Sequence, residues 1–127
     1  MTENVAPEVP CARIHEGDVL EPVQIPVTRE TLVRYAGAST DFNPIHWSDR
    51  AARAAGMDGV IAHGMWTMGA ALGVVVHWVA DPGRVVSQRA RFVRPVLVPD
   101  TDEGTQVIVS GRVTKADDQT ATLSLDV

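Results

Sequence analysis

The chain has 127 residues, enough for one domain around one hydrophobic core. Apolar residues make up 45%, which argues against a disordered chain, and the formal net charge of −5 argues against nucleic acid or an anionic membrane surface as the main partner. The single cysteine, Cys11, cannot form an internal disulfide and fits a reducing, cytoplasmic setting.

Residues 1–18 are rich in proline and charge and read as an irregular arm, with no basic segment and apolar run to suggest a secretory leader. A short extended piece covers Pro22–Val27. Thr28 is a candidate N-cap for a helix over Thr28–Ala36, where Leu32, Tyr35 and Ala36 share one face and Gly37 suits the stop. Residues 38–47, ASTDFNPIHW, are expected to leave the helix: Pro44 lacks an N–H and pushes Asn43 towards an extended conformation. Ser48 then caps a short helix over Asp49–Ala55, and GMDGVIA at 56–62 reads as a Gly-rich connection.

Gly64–Val79 is apolar on nearly every side, so it is expected as a buried helix in which Gly69 and Gly73 admit another backbone closely. It is too short and too interrupted, by Thr67 and His77, for a membrane span. Asp81-Pro82-Gly83 ends it. Strands are predicted at Val85–Val93, at Thr105–Val113 with Val107, Val109, Gly111 and Val113 on one face, and at Thr120–Val127 with Ala121, Leu123, Leu125 and Val127 on one face. Lys115–Gln119 reads as the turn between the last two. The fold class is α+β: a single domain with an antiparallel sheet on a long central helix.

Two segments carry chemistry. Asp41 and His46 lie in one proline-bent loop, where a carboxylate and an imidazole can converge on one side of a substrate. Loss of water from a 3-hydroxyacyl thioester needs such a pair: a base for the C2 proton and an acid for the departing hydroxyl. The helix end after His46 favours a neutral imidazole, while the carbonyl end before Asp41, together with burial, favours a protonated carboxyl. The second segment is Ala62-His63-Gly64-Met65. There the Gly64 N–H, at the start of the long helix, is free to bind a thioester oxygen as enolate charge develops. From residue types alone, Asp and Asn before Pro also serve as plain turn residues, and Gly64 as a tight junction.

Together the segments resemble the MaoC-like, or hydratase-2, family of hot-dog folds. The likeness runs through YAGASTDFNPIHWSDRAARAAGMDGVIAHGM and extends to the DPG break and to R-F-x-x-P-V-x-V-P-D at Arg91–Asp100. ASTDFNPIHW and IAHGMWTMG most resemble the catalytic B subunit of heterodimeric actinobacterial (3R)-hydroxyacyl-carrier-protein dehydratases. The resemblance implies a hot-dog fold and reversible syn loss or addition of water on a thioester carried by ACP or CoA. It implies Asp41 and His46 as the catalytic pair, Gly64 N–H as oxyanion hole, Asn43 and Pro44 ordering the loop, and a homodimer or a heterodimer with a second hot-dog subunit. Thr40 departs from the glycine many relatives place there. Relatives also continue past Val127 into a last strand, without which apolar surface is expected to favour a partner.

Further candidates are His63, Met65, Trp66, Arg89 and Arg91 for substrate binding. The last two belong to a basic cluster with Arg84 and Arg94 that suits a phosphopantetheine phosphate or an acidic carrier, or is simply a solvated face. Trp66, Met68, Leu72, Val76 and Trp78 line an acyl tunnel or are plain core. His15, His63 and His77 lack metal-ligand spacing, so neither metal nor other cofactor is expected. A hot-dog acyl-thioesterase and a non-catalytic acyl-binding subunit are the rival readings.

Overall fold

The computed structural model describes residues 13–127, so Cys11 and most of the N-terminal arm lie outside the described residues. The elements in order are β1 (Val19–Val27), α1 (Arg29–Ser39), a 3-10 turn (Pro44–His46), α2 (Asp49–Ala54), α3 (Gly64–Val79), a second 3-10 turn (Pro82–Arg84), β2 (Thr105–Ala116) and β3 (Ala121–Asp126). The strands form one sheet in the order β1-β2-β3. By contacts the chain divides into two compact units: one holds residues 13–24, 70–89 and 108–127, the other 25–69 and 90–107.

In the first unit, the C-terminal half of α3 lies on the sheet. Trp78 and Val79 form a buried cluster with Leu20 of β1 and Val113 of β2, with Val74, Val75, Leu123 and Leu125 packed against it. Trp78 is therefore core and not tunnel lining. The predicted inward face of β2 holds: Val109 and Val113 are buried here, and Val107 is buried in the other unit. β2 and β3 pair antiparallel with a bulge between Val113 and Lys115. β2 runs on through Lys115 and Ala116, so the turn is shorter than the composition suggests. Asp117 closes it by accepting from the Gln119 and Thr120 amides, 2.8 Å each, and these bonds hold its carboxyl below the usual carboxylate range.

In the second unit, Thr28 and Thr31 form a reciprocal capping box at the start of α1, Thr28 N–H to Thr31 Oγ1 at 3.1 Å and Thr31 N–H to Thr28 Oγ1 at 3.3 Å. α1 passes through Gly37 and ends at Ser39. One exposed glycine lowers helix propensity without breaking the hydrogen-bond ladder, so the predicted stop was early. α2 is capped by Ser48, which accepts from Ala51 N–H at 3.2 Å.

Three further expectations change. Val85–Val93 is not a strand: it finds no ladder partner among the described residues, and Val86 and Val93 are exposed. α3 is not buried all round. Met65, Gly69, Gly73 and His77, four residues apart, form an exposed line along it. Among the described residues outside the adjoining turns of α3, no atom lies within 4 Å of where a Cβ on Gly69 or Gly73 would stand, so neither glycine receives a close backbone from another element there.

Candidate active site

Residues 60–62, read from composition as a connection, are the hub of the site. Ile61 N–H donates to Ile45 O at 3.2 Å, and Ile61 O accepts from His46 Nδ1 at 2.7 Å. On the other side Ala62 N–H donates to Val96 O at 2.8 Å and Val98 N–H to Val60 O at 2.9 Å, around an antiparallel bridge between Ile61 and Leu97. Val60 N–H reaches Asp49 Oδ1 at 3.0 Å. Arg29 grips both oxygens of Asp49 at 3.0 Å and gives its Nε–H to Val98 O at 2.7 Å. Nearly every polar group of this buried backbone is thereby satisfied. The Val60 amide first, and then Arg29, hold the Asp49 carboxyl below its ordinary range. Asp49 and Arg29 escaped the sequence reading: Asp49 entered it only as the first residue of the short helix, and an Arg–Asp pair twenty positions apart leaves no local pattern.

His46 is buried in this frame. A carbonyl can only accept, so its bond to Ile61 O requires the proton on Nδ1 and leaves a lone pair on Nε2. That Nε2 stands 3.9 Å from Asp41 Oδ2. The distance is too long for a direct hydrogen bond, but a single oxygen roughly 2.8 Å from each fits between them. Asp41 does follow the carbonyl end of α1, as expected. Its carboxylate is not buried, however: 51% of the side chain is exposed, on a loop that leaves α1 through the left-handed Thr40. Its Oδ1 accepts from Asn43 N–H at 3.2 Å, and Asn43 Oδ1 accepts from Ile45 N–H at 3.2 Å. These two successive Asx turns set the loop ahead of Pro44.

Thr40, between α1 and Asp41, adopts φ 61, ψ 15. This is the left-handed cap that glycine fills without steric penalty, which accounts for the glycine expected there. Thr40→Gly relieves about 1–2 kcal/mol of left-handed strain and loses about 0.4–1 kcal/mol to the freer unfolded chain. Chemical denaturation is expected to show a net gain of up to about 1 kcal/mol.

His63 is buried beneath this pair. Its Nε2 bonds to the main-chain oxygen of Asp41 at 3.1 Å, its ring stacks on His46 with centroids 3.8 Å apart and planes at 22°, and Tyr35 meets it edge-on at 4.8 Å. One ligand atom from each of Asp41, His46 and His63 falls within a 4.8 Å cluster, a spacing that invites a metal. The stack opposes it. Imidazole lone pairs lie in the ring planes, and near-parallel rings at this separation cannot both direct one at a shared ion about 2.1 Å away.

Gly64 opens α3. A Cβ there would stand 3.3 Å from two ring atoms of Phe92, so the absence of a side chain lets that ring lie against it. Phe92 was missed because its segment read as a strand. Of the other candidates, Trp66 lines a shallow concavity with Thr31, Arg34, Tyr35 and Ala38, Met65 is exposed, and Arg84, Arg89, Arg91 and Arg94 are all exposed.

An α+β chain with a carboxylate and a tautomer-fixed imidazole on one loop, beside a helix N-terminus, defines a hot-dog domain equipped for acid–base chemistry. The chain belongs to the MaoC-like domain family, whose pattern matches residues 11–127. It is 40% identical over 75 residues to 3-hydroxyacyl-thioester dehydratase X of Mycobacterium tuberculosis, a match covering 59% of this chain and 26% of that protein. It is 34% identical over 101 residues to the mitochondrial 3-hydroxyacyl-[acyl-carrier-protein] dehydratase of Arabidopsis thaliana, covering 78% of this chain and 58% of that one. A solved MaoC-like dehydratase superposes with a TM-score of 0.83 at 34% identity, over 96% of this chain and 38% of that chain. The chain thus spans from about a quarter to under three-fifths of these relatives' lengths.

Proposed function

We propose that this chain is an (R)-specific 3-hydroxyacyl-thioester dehydratase and enoyl-thioester hydratase acting on ACP- or CoA-linked chains. The observation that carries the reading is the fixed tautomer of His46, whose Nε2 lone pair faces the Asp41 carboxylate across a gap wide enough for one oxygen. In the dehydrating direction Nε2 takes the C2 proton, and Gly64 N–H receives the developing enolate oxygen. Asp41 passes a proton to the hydroxyl at C3. The C3–O bond breaks with formation of the C2–C3 double bond, and water leaves. The imidazolium then returns its proton to the Asp41 carboxylate. Both groups act from one face, which suits syn geometry. Asn43 and Pro44 order the loop, and Met65 and Trp66 meet the acyl portion. Exposed Arg89 and Arg91 offer positive charge to a phosphopantetheine phosphate or an acidic carrier.

The working form in this reading is a dimer of hot-dog subunits. Support comes from Val86 and Val93, exposed on a segment with no ladder partner among the described residues. No helix among the described residues is long and apolar enough to cross a membrane.

Incubation with crotonyl-CoA tests the activity. Loss of enoyl-thioester absorbance without release of free thiol is the expected outcome. Thiol release without hydration would assign the chain to the thioesterases instead.

A further inference from the structure

His63 is the most deeply buried polar side chain of the described residues, and the proton transfers above make no use of it. Its contacts are unusual in reaching both members of the catalytic pair by different atoms. The Nε2 edge bonds to the main chain of Asp41, and the ring face lies on the ring of His46. The Asp41 oxygen can only accept, so His63 carries its proton on Nε2. Its Nδ1 is then a bare lone pair, buried and without a hydrogen-bond partner among the described residues.

We propose that His63 is a positioning residue, an imidazole that locks the Asp41 main chain and the His46 ring into one unit. Charging His63 would place a proton on Nδ1, where no acceptor stands, and a cation against the face of His46. Burial first, and then His46, push its pKa below the ordinary value near 6.5, outweighing the opposite pull of Asp41. The titratable groups facing it are Tyr35 from α1, Asp41 from the loop and His46 from the 3-10 turn. The two histidines therefore divide the work. His46 accepts and releases the proton, while His63 holds the distance between base and carboxylate without taking a proton itself. An oxygen placed between Asp41 and His46 demands such a fixed gap, since about 1 Å of misplacement can lower a rate a hundredfold.

The proposal rests on the dehydratase reading for its kinetic consequence, but its geometry is testable without activity. Nitrogen-detected imidazole NMR of the intact protein is expected to show His63 as the Nε2–H tautomer with a titration midpoint below 6.5, and His46 as the Nδ1–H tautomer. An Nδ1–H tautomer or an ordinary midpoint for His63 would overturn the lock, whatever the enzyme does. The kinetic arm compares His63→Phe, which keeps a flat ring but no donor, with His63→Gln, which keeps an N–H near the Nε2 position. His63→Phe is expected to lose between about ten- and a hundredfold in kcat, with KM little changed and the acid limb of the pH profile moved. His63→Gln is expected to recover most of that loss. Equal losses in both variants, or a wild-type kcat and pH profile in His63→Phe, would remove the positioning role. A chain inactive on every enoyl thioester would sink the dehydratase reading and leave the NMR result standing.

Discussion

Asp41→Asn is expected to lower kcat/KM for enoyl-thioester hydration by at least about a hundredfold, the ordinary consequence of losing an acid–base group. Asn has nearly the shape of Asp, and its amide oxygen can still accept from Asn43 N–H, so the Asx turn survives. Half of the Asp41 side chain is exposed, so the substitution strands no buried charge and the unfolding transition should barely move. His46→Ala is expected to lose at least as much activity, but with a second effect. It leaves Ile61 O, the buried acceptor of the Nδ1 proton, without its partner, which costs about 1–3 kcal/mol of stability. The contrast between the variants is the informative part: equal chemical defects with unequal stability defects. In the proposed mechanism the two groups serve one proton cycle, so the double variant should be hardly slower than the worse single one. Rates within about tenfold of wild type for both single variants would move the chemistry elsewhere.

The parts of this site legible in the sequence are those ruled by near neighbours. Thr28 and Ser48 cap their helices, Pro44 forces Asn43 out of helical backbone, and α3 spans Gly64–Val79 as its composition predicts. Asp41 and His46 share a loop, so their pairing needs only a bend. What escaped is long-range. The bridge between 60–62 and 96–98 has no signature in GMDGVIA, because a strand of three residues is too short for its alternation to register. Without that bridge, neither the tautomer of His46 nor the place of Phe92 over Gly64 can be inferred. Val85–Val93 misled for the opposite reason: an alternating pattern records what a segment can pair with, not whether the same chain supplies the partner. The burial expected of Asp41 failed because loop direction depends on Thr40, whose left-handed backbone its residue type does not announce.

Gly104→Ala is the substitution expected to damage the fold most per atom added. Gly104 sits just before β2 with φ 59, its N–H turned back to Thr101 O at 3.2 Å. A Cβ there would run into the carbonyl oxygen of Val27 and come within 2.9 Å of Thr28 Cα. Both obstacles are backbone, so no rotamer change relieves the overlap. Val27 is fully buried at the end of β1, and Thr28 is the N-cap of α1. Accommodating one methyl group therefore means parting β1 from the β2 turn or unseating the capping box, on top of the penalty for a side chain at positive φ. A loss of about 3 kcal/mol or more is expected in chemical denaturation. α1 delivers the backbone to Asp41, so activity should fall with it. The control is Gly37→Ala. Gly37 lies inside α1, with no described residue outside its own helix turns within 4 Å of its would-be Cβ, and alanine there should stabilise by about 0.5–1 kcal/mol. The same chemical change is thus predicted to have opposite signs at the two glycines. A Gly104→Ala protein within about 1 kcal/mol of wild type would mean that the end of β1 yields more easily than its buried carbonyl implies.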